Sequence, residues 1–174
     1  MIKHPWHEVS IGKNPPSIVN AIIEIPKGSR AKYEIDKDSG LIKLDRVLYG
    51  SMMYPTHYGI IPQTLFDDGD PLDILVLTQV TLVPLTLVST KVIGVMRMID
   101  QGIPDDKIIA VVESDPSVSH INDIDELPQT FKEELRNFFE NYTKLEGKTV
   151  TVPHFLNKEE ALNIIDYSII LFEE

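Results

Sequence analysis

Four aspartates crowd into seven residues, Asp67, Asp68, Asp70 and Asp73, in the stretch DDGDPLD. The apolar run ILVLT follows at once. Bringing like charges together at the edge of a core is costly for every ion left uncompensated. Either water solvates these carboxylates in an Asp-Gly turn, or a cation sits among them. An EF-hand is excluded. Counted from Asp68, the sixth position is Asp73 where that loop needs glycine, and the twelfth is Gln79 where it needs glutamate.

Further acids stand at comparable places. Glu24 lies within IIEIP, Glu34 and Asp36 within YEID, and Asp100 at the end of VIGVMRMID, with Asp105 and Asp106 close behind. Each alone reads as a solvent-facing charge. Converging from separate strands, they would form an oxygen-rich pocket of the kind Mg²⁺ needs, with hard ligands, few carboxylates per ion and several retained waters. Lys32, Arg46 and Lys107 stand beside these acids in AKYE, LDRV and DDKI, and tyrosines occur at Tyr54, Tyr58 and Tyr142. Taken singly, such basic residues make surface ion pairs of little worth. Beside a carboxylate-held metal, they are what a phosphate substrate requires.

The elements that must position these groups are short. IVNAIIEIP (Ile18 to Pro26) predicts a strand, and AKYEIDKDSGLIKLDRVL predicts a hairpin turning at Asp38-Ser39-Gly40. Ile74–Thr78, Lys91–Asp100 and Lys107–Ser114 predict three more strands, whose continuous apolar character implies burial on both faces. The first 16 residues read as an irregular arm. Phe131, Leu135, Phe138, Phe139, Tyr142 and Leu145 recur at helical spacing with a stop at Gly147, which predicts an amphipathic helix. LNKEEALNIIDYSIILFEE predicts a second helix capped by Asn157. Many short strands followed by two helices suggest a mainly β protein of α+β type, a barrel or sandwich with helices packed outside.

Composition narrows the function classes. The 174 residues fit one domain, 1–174, and carry 27 acidic against 16 basic residues, a formal net charge of -11. That balance argues against a nucleic-acid partner, which calls for a basic surface. There is no cysteine, hence neither disulfide nor thiolate chemistry. No apolar run reaches the ~18 residues of a membrane helix, and the N-terminus lacks the apolar core of a signal peptide. The expectation is a cytoplasmic protein with no membrane partner.

Several segments then resemble one family. DGDPLD (Asp68 to Asp73) resembles the signature of the family I soluble inorganic pyrophosphatases. IEIPKGSRAKYEIDKDSGLIKLDR resembles their N-terminal strand and hairpin, MMYPTHYGIIPQTL their Tyr-Pro-x-x-Tyr-Gly segment, VIGVMRMID with DDK their next metal-binding stretch, and LPQTFKEELRNFFENYTKLEGK their long helix. The resemblance runs from about residue 15 to 172 in the same order and is closest to the prokaryotic type. It implies a five-stranded OB-like β-barrel with two helices packed outside, hydrolysing pyrophosphate to two phosphates with several Mg²⁺ ions. It also implies the roles of individual residues. Asp68, Asp70, Asp73, Asp100 and Asp105 would hold metal, and Asp70 would take the proton of the attacking water. Tyr54 would lie near that nucleophile. Lys32, Arg46, Lys107 and Tyr142 would hold phosphate oxygens. Glu24 and Glu34 would support metal-bound waters, and Tyr58 would stand just outside. A homo-oligomer, a hexamer by resemblance, is expected.

One position departs from the family. The lysine usually found directly after the helix tyrosine is Thr143 here, and Lys144 comes one later, about 100° further around a helix. Either Lys144 reaches back, or Lys148 substitutes, or the contact is missing. Asp67, Asp36, Asp45 and Asp106 read as solvated charges, and His57 as a neighbour of the site. Three other functions compete: a metal-dependent nucleotide or polyphosphate hydrolase, an OB-like single-strand binder, and a structural Ca²⁺ protein without turnover. The binder would need a positive, aromatic groove.

Overall fold

The computed structural model describes residues 3–174. β1 (Ile18–Ile25) carries the β-branched run foreseen for it. β2 (Ala31–Ile35) and β3 (Ile42–Val47) form the hairpin, with Asp36 accepting from the Ser39 backbone and hydroxyl to tighten its turn. β4 (His57–Ile60), β5 (Asp73–Leu77), β6 (Leu87–Asp100), the two-residue β7 (Ile103–Pro104) and β8 (Lys107–Val112) follow. After α1 (Gln129–Asn141) come β9 (Val150–Leu156) and α2 (Lys158–Glu173).

Five strands close on themselves. β1 pairs with β4, β4 with β5, β5 with β8, β8 with β6, and β6 returns to β1 through Ile18↔Lys91 to Ile22↔Leu87. All these pairings are antiparallel except β5 with β8. Closure removes the sheet edges that would otherwise recruit foreign strands. The result is the five-stranded OB-like barrel of the expectation. Its seam is tight at Gly59, where a Cβ would lie 2.1 Å from the Ile22 carbonyl oxygen, so only glycine lets β4 approach β1 this closely.

The apolar strands are buried on both faces, as their unbroken runs implied. Ile74 and Val76 pack in one cluster with Ala161 and Ile165 of α2. Leu75 faces the other way, into a cluster with Leu135, Phe138 and Phe139 of α1. β6 is long enough, at 14 residues, to serve β1 and β8 early and β9 late, its register with β8 shifting between Val92 and Gly94.

Three strands lay outside the sequence reading. β7 has only two residues. β4 has only four residues around a glycine, and β9 carries Pro153, which weakens a strand signal. α1 is also shorter than the apolar periodicity suggested. It ends at Asn141 with Tyr142 as C-cap, and the chain then makes a short 3₁₀ turn, Lys144–Glu146, closed by Gly147 at φ +77°. α2 starts where foreseen, with the Asn157 side chain accepting from the Glu160 backbone N–H at 3.1 Å.

Candidate active site

One open cavity of about 690 Å³ collects most of the candidate residues. β1 brings Glu24, β2 brings Lys32 and Glu34, and β3 brings Arg46, held opposite Lys32 by the hairpin register. β4 contributes Tyr58, the end of β6 contributes Asp100, and the C-cap of α1 contributes Tyr142. Asp68 and Asp70 ride the turn before β5. Gly69 bends it at φ +83°, and Asp68 Oδ1 accepts the Asp70 backbone N–H at 3.0 Å. Asp73 opens β5 and Asp105 lies two residues before β8. The parallel register sets Asp73 beside Lys107, whose Nζ lies 2.6 Å from Asp73 and 2.7 Å from Asp105.

This crowding of acids shifts their proton affinities. Burial, reinforced by Asp73, pushes Glu24 up to about 8, although its Oε1 accepts the Ile35 N–H at 2.7 Å. Burial and the neighbouring carboxylates push Asp68 up to about 7. Burial also lifts Asp73, to about 6, against the pull of Lys107. Burial alone would push Lys107 down, but Asp73 and Asp105 outweigh it and hold the ammonium well above its ordinary value. Burial holds Tyr142 up at about 12 and raises Tyr54 and Tyr58 well above the ordinary value, so all three phenols stay protonated donors.

Not every candidate lines the cavity. Tyr54 is 2% exposed and sits behind the wall, its ring 5.8 Å from Tyr58 and 6.4 Å from Tyr142. Lys144 lines a separate small hollow beside Glu140 and Thr149, because the helix has ended before it and the 3₁₀ turn carries it away. Thr143 is buried, and the lysine of this segment that reaches the main cavity is Lys148. The acids read as solvated are engaged, Asp36 already in the hairpin turn. Asp45 accepts from Lys32 at 3.0 Å and Arg46 at 2.8 Å, and Asp106 is buried against Arg97 at 3.2 Å. Asp67 accepts from the Tyr167 hydroxyl at 2.9 Å. His57 is a structural group, tied to the Lys27 N–H and to the Val80 carbonyl oxygen.

Sequence reasoning missed other groups. Lys37, on the hairpin turn, touches Asp70 at the cavity mouth. Trp6 of the N-terminal arm lines the cavity, its Nε1 donating to the Thr64 carbonyl at 2.8 Å. Glu146 meets Arg46 Nε at 3.0 Å. The alternation of the hairpin could have pointed to Lys37, but no local signal links Glu146 to a residue 100 positions earlier.

The donor set suits a hard cation. It is all oxygen, and Asp100 Oδ1 is buried with no hydrogen-bond donor. Among the described residues no three acidic or histidine side chains close on one point, since the Lys107 ammonium stands between Asp73 and Asp105. The cavity can therefore gather divalent cations and anionic phosphate oxygens side by side.

Known proteins resemble this chain. The family model described as inorganic pyrophosphatase matches residues 21–173. The chain is 53% identical over 169 residues to a soluble inorganic pyrophosphatase of Oryza sativa subsp. indica, covering 97% of this chain and 79% of that protein. Soluble inorganic pyrophosphatase 1 of Arabidopsis thaliana is 50% identical over 98% of this chain and 81% of its own length. The crystal structure of inorganic pyrophosphatase from Thermus thermophilus superposes with a TM-score of 0.92 at 42% identity, covering 95% of this chain and 97% of that one.

Proposed function

The chain belongs to the inorganic pyrophosphatase family and hydrolyses inorganic pyrophosphate, and we propose that it does so by direct in-line attack of water, with Asp70 as the general base. The observation that supports this most is the meeting of Glu24, Asp68, Asp70, Asp73, Asp100 and Asp105 with Lys32, Arg46 and Lys107 around one cavity. Residues 1–174 act as one catalytic domain.

Asp68, Asp70, Asp73, Asp100 and Asp105 would hold Mg²⁺. Once bound, such an ion lowers the pKa of a coordinated water and neutralises phosphate oxygens. The chain's own groups do the rest. Asp70 accepts the proton of the attacking water, a contribution of typically ~10²–10⁴-fold. Arg46 offers its planar fork to two phosphate oxygens, while Lys32 and Lys107 act as point charges. The Tyr142 phenol, kept protonated, donates to a further oxygen. Lys148 takes the place of the lysine that the family usually carries after the tyrosine. Glu24 and Glu34 orient water, and Tyr54 and Tyr58 back the wall. Charge developing on the departing phosphate is met by preset cations, which is where most of the rate arises in phosphoryl transfer.

Phosphate release from pyrophosphate, ATP and tripolyphosphate, each with Mg²⁺, tests the substrate. Preference for ATP or tripolyphosphate would move the reading to a nucleotide or polyphosphate hydrolase. Ca²⁺ as sole divalent ion should occupy the carboxylates yet support little turnover. No helix among the described residues is long and apolar enough to cross a membrane. A cytoplasmic hexamer is the assembly that family resemblance favours, and light scattering checks it.

A further inference from the structure

We propose that Glu146 is a positioning residue for Arg46, fixing the guanidinium from behind so that its free edge meets phosphate oxygens. This rests on the pyrophosphatase reading above. Arg46 lines the cavity from β3. Its Nη1 lies 2.8 Å from Asp45 Oδ2, and its Nε lies 3.0 Å from Glu146 Oε1. A guanidinium is a rigid fork of five donors. Nη1 donates to Asp45, and Glu146 faces Nε as a counter-charge without a hydrogen bond, so the Nη2 side is left for substrate.

Two contacts are needed to set that plane. Asp45 also binds Lys32 Nζ at 3.0 Å, so one oxygen serves two cations and leaves the fork free to turn about it. Glu146 supplies the second point from a different element. It sits on the 3₁₀ turn after α1, where its N–H bonds the carbonyl of buried Thr143 at 3.0 Å and Gly147 closes the turn. The Glu146 side chain is only 11% exposed, and its Oε2 is buried without any hydrogen-bond partner. A carboxylate held this way is unfavourable unless a cation compensates it, and Arg46 is the cation in contact. The turn at 144–146 thus couples the end of α1 to the orientation of a substrate-binding arginine on the hairpin.

The test is a double-mutant cycle on the full chain with magnesium pyrophosphate as substrate, reading kcat, KM and the melting temperature. Glu146→Ala should lower kcat/KM about tenfold, the scale of losing one close charge partner. Glu146→Gln keeps the shape but removes the counter-charge and should lose nearly as much. In the Arg46→Lys background Glu146→Ala should cost nothing more, because an ammonium has no plane to set. If Glu146→Ala does not fold, Glu146→Asp carries the same comparison, since it keeps the charge but loses the reach. Additive losses, or an unchanged kcat/KM in the Glu146 variants, overturn the proposal while leaving the pyrophosphatase reading intact. An Arg46→Lys variant with normal kinetics removes Arg46 from the site and overturns both its role and this inference.

Discussion

Lys107 Nζ lies 2.6 Å from Asp73 Oδ2, and the two residues stand opposite each other in the parallel register of β5 and β8. Lys107 is 2% exposed, so its charge balances Asp73 and Asp105 where water cannot. Lys107→Met should therefore destabilise the chain in EDTA at pH 8 by up to about 3–5 kcal/mol, the cost of breaking a buried pair. At pH 5 the loss should be smaller, because Asp73 can then take up a proton. Added Mg²⁺ should restore part of the melting temperature. Equal losses at both pH values would show that packing, not charge, is what Lys107 supplies.

Raised carboxylate affinities make a second prediction about pH. Glu24 is pushed up to about 8, Asp68 to about 7 and Asp73 to about 6. The folded chain keeps protons that an unfolded chain releases near pH ~4. Between those limits the folded state binds more protons, so stability falls as pH rises. Melting in EDTA should drop from pH 5 to pH 8, and Glu24→Gln should flatten the upper half of that decline. His57, held below its ordinary value by burial, works in the opposite sense just below pH ~6.5. It is unchanged in the variant, so the comparison isolates Glu24. A melting temperature that climbs from pH 6 to 8 in EDTA would contradict the assignment.

Most of this site was legible in the sequence because its acids sit at strand ends. A strand that stops at Asp100, and one that starts at Asp73 or Lys107, must present those residues at the barrel rim. The unbroken apolar runs also announced burial on both faces, which α1 and α2 confirm. What stayed hidden were contacts between distant elements. Asp45 looked solvated because its partners, Lys32 across the hairpin and adjacent Arg46, turn toward it only once the hairpin pairs. The placement of Lys144 was illegible for another reason. Helical periodicity continues through Leu145, but the helix itself stops at Asn141, so angles counted around its axis no longer apply.

That break in the helix yields a third prediction. Lys148 lines the main cavity and Lys144 lines the neighbouring hollow. Lys148→Ala should lower kcat/KM about tenfold, as expected for one charge-assisted contact to phosphate. Lys144→Ala should change kcat/KM less than twofold, the ordinary range for a surface substitution. Steady-state kinetics on both variants at saturating Mg²⁺ decides between them. A larger loss in Lys144→Ala would mean that the 3₁₀ turn rearranges when substrate binds.

Asp70 and Asp73 separate the two jobs that a carboxylate can have here. Asp73 is mostly covered at the start of β5, its side chain 16% exposed, and paired with Lys107, while Asp70 is half exposed on the turn before it and touches Lys37. Asp70→Asn preserves shape and one acceptor oxygen, so the melting temperature should move little. It removes the proposed proton acceptor, and kcat should fall ~10²–10⁴-fold. Raising the pH should recover part of that loss, since bulk hydroxide then competes as nucleophile, whereas adding Mg²⁺ should not. Asp73→Asn should behave in the reverse way. Its first effect should be a higher Mg²⁺ concentration for half-maximal activity, with kcat largely recovered at saturation. Its melting temperature in EDTA should reflect two opposed changes, less repulsion from Asp68 and Asp105 against a lost partner for Lys107. Calorimetric titration of Mg²⁺ into both variants gives the same contrast without turnover. If Asp70→Asn keeps near-normal kcat at neutral pH, the base is another group, and Glu24, poised near neutrality, is the next to substitute.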